Sequence, residues 1–153
     1  MLDSIKQKLE QINLIDSTEC KKAGVLIILM KEEGLDDLKI LFTKRSSNLS
    51  THSGEVSFPG GKWEKGDTDL YQTALRESNE EIDLDTNNIQ RLGALNYLLS
   101  RHKIEVHPYI GYLKKYQNFS GNYEIDEIFT VPLSFLMHPK NITFKKFKKN
   151  ELK

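Results

Sequence analysis

The sequence predicts an α/β/α sandwich built on a mixed β-sheet. Three observations carry that expectation: apolar runs of strand length recur along the chain, one amphipathic helix lies in their midst, and a terminal stretch returns to helical spacing. At 153 residues the chain is the size of one domain. Internal repeats and low-complexity linkers are absent, so a single domain over residues 1–153 is expected.

Leu2, Ile5, Leu9 and Ile12 fall at helical spacing and predict an N-terminal amphipathic helix that packs on the domain. Val25 to Lys31 and Leu38 to Lys44 read as two strands joined by the charged turn from Glu32 to Asp37. Arg45 and Ser46 then stand at the end of the second strand, where Arg45 is a candidate phosphate contact. Gly54 to Phe58 predicts a short strand leading into Pro59-Gly60-Gly61, read as a glycine turn.

The central helix is signalled by Leu70, Ala74, Ser78 and Ile82, with Tyr71 and Leu75 beside them. Asp67 or Thr68 is the expected N-cap, with Asp69 in the first turn. Glu77 and Glu81 lie within about 40° of each other around the axis, and Glu80 about 60° to the other side of Glu77. Three acids therefore share one face near the C-terminal end, where like charges repel and the helix dipole favours cations. A solvated acidic face with Arg76 paired to Glu80 is the bland account. The neighbouring glycines favour the sharper one, a site for a hard divalent cation held by carboxylate oxygens.

Beyond the helix, Ile89 to Leu99 and Ile104 to Leu113 read as strands on either side of Ser100 to Lys103. Glu124, Asp126 and Glu127 stand at the head of the strand-like run that ends at Val131, and Glu124 or Glu127 is a candidate third ligand or base. Pro132 to Met137 predicts a short helix opened by proline. The stretch from Lys140 to Lys153 is lysine-rich.

Charge is balanced, 22 basic against 22 acidic residues, so no bulk attraction to nucleic acid or an anionic membrane is expected. Cys20 is the only cysteine, which excludes an intramolecular disulfide or a cysteine-based zinc site and points to a reducing cytoplasm. No apolar run is long enough to span a bilayer. The histidines His52, His102, His107 and His138 lack ligand spacing, and only His52 is close to the expected site.

The run from Gly61 to Leu84 resembles the Nudix box, a glycine followed by an acid and then Arg-Glu-x-x-Glu-Glu-x-Gly before an aliphatic residue. Leu41 to Ser46, continuing through Gly54 to Phe58-Pro59-Gly60-Gly61, is similar to the extra signature of the coenzyme A pyrophosphatase branch. Asp67 stands where the general box has Glu, the spacer to Arg76 is one residue longer, as is common in that branch, and Asp83 replaces the glycine. Asp83 is expected to cap the helix in a left-handed conformation. Ser50 stands where the branch signature has arginine. The final Trp-Gly strand and helix usual in the branch are not visible; a truncated chain, or a partner subunit such as a second copy, would account for that.

The resemblance implies metal-dependent hydrolysis of a pyrophosphate linkage in coenzyme A or acyl-coenzyme A. Glu77 and Glu81 would hold magnesium or manganese, Glu80 would complete the sphere or act as base, and Arg76 would orient the carboxylates. Glu127 is a further candidate catalytic acid; Arg45, Ser46, Gly60 and Gly61 are the expected substrate-binding residues. The alternatives are a broader pyrophosphatase acting on ADP-ribose, dinucleoside polyphosphates or oxidised nucleoside triphosphates, and a non-catalytic nucleotide-binding scaffold.

Overall fold

The long apolar run that predicts the first strand has side chains on both of its faces, and both are covered. In the computed structural model, which describes residues 1–144, β1 (Lys22–Met30) is the central strand of an eight-stranded mixed sheet. It pairs antiparallel with β2 (Lys39–Arg45) and β4 (Gly60–Lys62) and parallel with β7 (Glu105–Leu113). The short β3 (Val56–Ser57) and β8 (Ile125–Pro132) flank β2, while β5 (Ile89–Ala94) and β6 (Leu98–Leu99) flank β7.

Alternation along β1 divides the core in two. Leu26, Ile28 and Met30 point to one face and pack with Leu41 against Ala74, Leu75 and Ile82 of helix α2 (Leu70–Ile82). On the other face, Ile27 and Leu29 join Leu92 and Ile110 beneath Leu2, Ile5 and Leu9 of helix α1 (Leu2–Glu10). The expected α/β/α sandwich is therefore present, and the N-terminal helix packs on the domain as its spacing predicts. A third helix, α3 (Leu133–Met137), follows β8 with Pro132 at its N-cap.

Three local expectations are corrected. Asp69, rather than Asp67 or Thr68, caps α2: its side chain accepts the Gln72 N–H. Gly60 and Gly61 are not a turn but strand residues, because β1 offers them a free edge at Ala23 to Val25. The strand expected over Gly54 to Phe58 contracts to Val56–Ser57, with Gly54 in a left-handed conformation ahead of it. The lysine-rich terminal stretch lies outside the described residues from position 145 onward.

One buried acid that the sequence did not flag fixes the approach to β1. Glu105, fully buried at the head of β7, accepts from the Thr18 hydroxyl and N–H and contacts His107 Nε2 at 2.6 Å. Burial pushes its carboxyl up, but the Thr18 and His107 hydrogen bonds and the Lys22 charge outweigh that and bring it down to about 2.

Helix α2 lies so close to β1 that Gly24 has no room for a side chain. A Cβ there would come within 2.2 Å of the Leu70 carbonyl oxygen, a backbone atom that cannot move aside without lifting the helix. Gly24→Ala is expected to destabilise the fold by about 1–3 kcal/mol, the usual range for overpacking, measured as a fall in the urea midpoint at unchanged slope.

Candidate active site

The site is assembled by Arg76, which stands midway along α2 and spends its guanidinium on several partners at once. Its Nε and Nη2 bind the two Asp67 carboxylate oxygens at 2.9 and 3.1 Å, a bidentate pair. Nη2 also donates to the Lys62 carbonyl at 3.2 Å, while Nη1 reaches Glu77 at 3.0 Å and Glu80 at 3.3 Å. Asp67 in turn accepts from the Thr73 hydroxyl and the Glu64 N–H. The residue that departs from the general box thus ties the loop between β4 and α2 to the helix. The Arg76 hydrogen bonds hold its carboxyl well below the usual carboxylate range, and Asp67 raises the Arg76 guanidinium in return.

The acids do not converge as the expected trio. Glu81 is 4% exposed and Glu77 is partly buried, whereas Glu80 is exposed; Glu77 and Glu80 share Arg76 Nη1. Among the described residues no group of three or more His, Cys, Asp or Glu side chains forms a ready-made metal cluster. Burial drives the Glu81 carboxyl up to about 8, helped by the Glu77 and Glu124 charges and opposed by the Gly60 amide and Arg45. Burial likewise raises Glu77, against its Arg76 hydrogen bond, with Glu80 and Glu124 adding to the rise.

Magnitudes decide the cause. A shift from 4.5 to about 8 is worth roughly 5 kcal/mol in favour of the neutral acid. Like charges at i,i+4 on an exposed helix cost only a few tenths, so desolvation, not surface repulsion, dominates at Glu81. A cation is what would restore its charge, and an all-oxygen donor set of this kind suits a hard one.

Gly61 makes the close approach feasible. A Cβ there would lie 2.5 Å from the Glu77 carboxyl carbon, so any side chain would displace the acid. Gly60 packs as tightly on the β1 backbone, 2.4 Å from the Gly24 carbonyl oxygen to the place of its missing Cβ. Asp83 caps α2 in the left-handed conformation, as expected.

Arg45 emerges where the β2–β8 register shifts between Lys44 and Arg45, a bulge that re-aims a side chain. It pairs with Glu124 at 3.8 Å, and its buried Nε has no hydrogen-bond partner among the described residues. Glu124 is the loop acid whose charge acts on both Glu77 and Glu81. Glu127, the acid favoured from sequence, is exposed in β8 opposite Lys44. Alternation and the bulge, which the sequence does not display, place Glu124 beside Arg45 and Glu127 opposite Lys44.

Ser46 is buried, its N–H on the Glu124 carbonyl and its hydroxyl accepting from the Asn48 N–H. His52 is exposed, 2.9 Å from Glu55, with its ring edge-on to His102. Ser50 is exposed in the same loop.

Fold and site together define a class: an α/β sandwich with an acid-bearing helix pressed against a diglycine strand. Residues 21–146 match the NUDIX domain, and the chain belongs to that family. It is 44% identical over 130 residues to "Nudix hydrolase 15, mitochondrial" of Arabidopsis thaliana, covering 82% of this chain and 45% of that one. It is 33% identical over 144 residues to the peroxisomal coenzyme A diphosphatase NUDT7 of Mus musculus, covering 92% and 60%. The chain thus spans about half the length of the curated relatives it matches. Among solved structures, the NUDIX domain of Shewanella oneidensis NrtR, complexed with ADP ribose, superposes with a TM-score of 0.60 at 19% identity, covering 86% of this chain and 84% of that one. A Caenorhabditis elegans Ap4A hydrolase gives 0.62 at 19% identity, covering 73% and 80%. These two likenesses show the fold.

The Glu81 shift has a testable sign. Its folded value, about 8, lies above the ordinary 4.5, so the folded state keeps a proton that the unfolded chain releases. The resulting stability is full below about pH 4.5 and is lost as pH rises toward 8. With chelator present, Glu81→Gln should flatten the fall in melting temperature over that window and exceed wild type at pH 8, as followed by thermal unfolding across a pH series.

Proposed function

We propose that the chain is a divalent-cation-dependent hydrolase of the pyrophosphate linkage in nucleoside diphosphate derivatives, with coenzyme A or acyl-coenzyme A as its substrate. The observation that carries the reaction class is the packing of two acids, Glu77 and Glu81, on one helix where burial raises both carboxyls above their ordinary range. Glu77 and Glu81 would hold magnesium or manganese, with Glu80 at the exposed margin. Bound there, the ion supplies charge neutralisation for the pyrophosphate and a water acidic enough to attack phosphorus.

The remaining work falls to the chain. Arg76 fixes Glu77 and Glu80 through Nη1 and is itself fixed by Asp67. Gly60 and Gly61 hold β4 against the helix, and the absence of a side chain at Gly61 leaves room for the Glu77 carboxylate. Arg45 offers a cation beside Glu124 to a substrate phosphate. Glu124 is the better placed acid for taking the proton of the attacking water, since it acts on both Glu77 and Glu81, and Glu127 is the alternative.

Two things support coenzyme A as substrate: the Leu41 to Gly61 signature and the relatives named as coenzyme A diphosphatases in mouse and, at 36% identity over 129 residues, in human. Coenzyme A is cleaved to adenosine bisphosphate and phosphopantetheine on this reading. Glu77→Gln and Glu81→Gln should each lower turnover by on the order of a hundredfold or more, without lowering the melting temperature. Magnesium or manganese should raise the melting temperature of wild type and leave that of the double variant unmoved. Near wild-type rates in either single variant would remove the assignment.

Substrate choice is tested separately. Ser50 can offer only a neutral hydrogen bond where the signature has a cation, so discrimination against dephospho-coenzyme A should be weak. Ser50→Arg is expected to increase the preference for coenzyme A, and Arg45→Ala to lower activity on it, read as kcat/KM for both substrates. Much higher kcat/KM on ADP-ribose or a nucleoside triphosphate would leave the hydrolase reading and remove the coenzyme A one.

A further inference from the structure

Two histidines from distant parts of the chain meet on the surface. His52 lies in the connection between β2 and β3 and His102 in the turn that joins β6 to β7, yet their ring centres are 5.6 Å apart, with the planes at 81°. Fifty positions separate them in sequence, so the pair is a product of the fold.

Each stands in a turn closed by its own hydrogen bonds. The Glu55 N–H donates to the His52 carbonyl at 3.2 Å, the Ser53 hydroxyl donates to the Ser47 carbonyl at 2.8 Å, and His52 itself holds a left-handed backbone with φ 53°. On the other side, the Lys103 N–H donates to the Ser100 carbonyl at 2.9 Å and the Ile104 N–H to the Ser100 hydroxyl at 3.1 Å. Both turns are thus tied locally, while both rings are exposed.

Glu55 gives the pair a chemical direction. Its carboxylate lies 2.9 Å from His52 Nδ1, a contact that draws the ring proton to that nitrogen and leaves Nε2 with its lone pair. Carboxylates hold metal-binding histidines in the same way. Neither His52 Nε2 nor the His102 ring has a hydrogen-bond partner among the described residues. An ion bonded to two imidazole nitrogens at about 2.0–2.1 Å sets the ring centres roughly 5–6 Å apart, and the observed spacing falls in that range. Exposed rings can turn about χ2 to aim their free nitrogens at one ion.

We propose that His52 and His102 share a borderline divalent transition ion such as zinc or nickel, with Glu55 behind His52 and water completing the coordination. Imidazole nitrogen suits such ions, whereas the carboxylates of α2 suit a hard one, so the two sites differ in the metal they select. Arg101 and Lys103 flank His102 and oppose a cation; Glu55 is the charge that offsets them. Bound there, the ion would clip the β2–β3 connection, which carries Ser50, to the β6–β7 hairpin. The proposal does not depend on the hydrolase reading, because it concerns binding alone and uses none of the α2 acids.

Nickel, titrated calorimetrically into tag-free protein with magnesium in excess to occupy the carboxylates, should bind at one ion per chain. In the NMR spectrum it should broaden the ring resonances of His52 and His102 together and spare those of His138. Losing a ligand costs at least as much as losing its outer-shell partner, so His52→Asn and, independently, His102→Gln should each weaken binding about 10–100-fold, and Glu55→Ala about tenfold. Asparagine is chosen at position 52 because it tolerates the left-handed backbone. Cys20→Ser and the Glu77→Gln, Glu81→Gln double variant should bind as wild type does. Unchanged nickel affinity in either histidine variant, broadening of only one of the two rings, or loss of binding in Cys20→Ser or in the double Gln variant would each overturn the proposal.

Discussion

The pairing of Asp67 with Arg76 is the constraint on which the candidate site depends. It is bidentate, and it joins a loop residue to the middle of a helix nine positions later. Through it the loop after β4 is closed, Lys62 is held at the strand end, and Glu77 and Glu80 are given fixed donors. Thr73 and the Glu64 N–H complete the Asp67 shell, so the carboxylate is satisfied by the elements on both sides of it. Loss of the pair would free the loop and the guanidinium together, and the acids would lose their common reference.

Around that anchor the domain separates two tasks. The N-terminal half of α2 is apolar beneath and pressed onto β1 at Gly24, which gives the helix a rigid seat. Its C-terminal half carries the acids, one of them buried at a cost that only a cation or a proton can offset. Rigid packing at one end thus holds an unfavourable arrangement at the other, the usual distribution of stability and strain around a functional site. The bulge at Lys44 and Arg45 contributes in the same sense, turning a cation at the end of an otherwise regular strand toward Glu124.

The sequence by itself determined the sandwich, because period-two and 3.6-residue apolar patterns are set by backbone geometry and need no partner to be read. The N-terminal helix, the acidic helix and the Asp83 cap were legible for that reason, as was the family resemblance carried by the residues from Leu41 to Leu84. Only the tertiary structure decided that Gly60 and Gly61 form a strand, since a two-glycine segment has no pattern of its own and takes the conformation of the edge offered to it. The pairing of Glu124 with Arg45, the exposure of Glu127 and the burial of Ser46 also waited on the fold. A charge is visible in sequence, but its solvation and its neighbours are properties of how distant elements pack, and at Glu81 those properties, not the carboxyl group itself, set the chemistry.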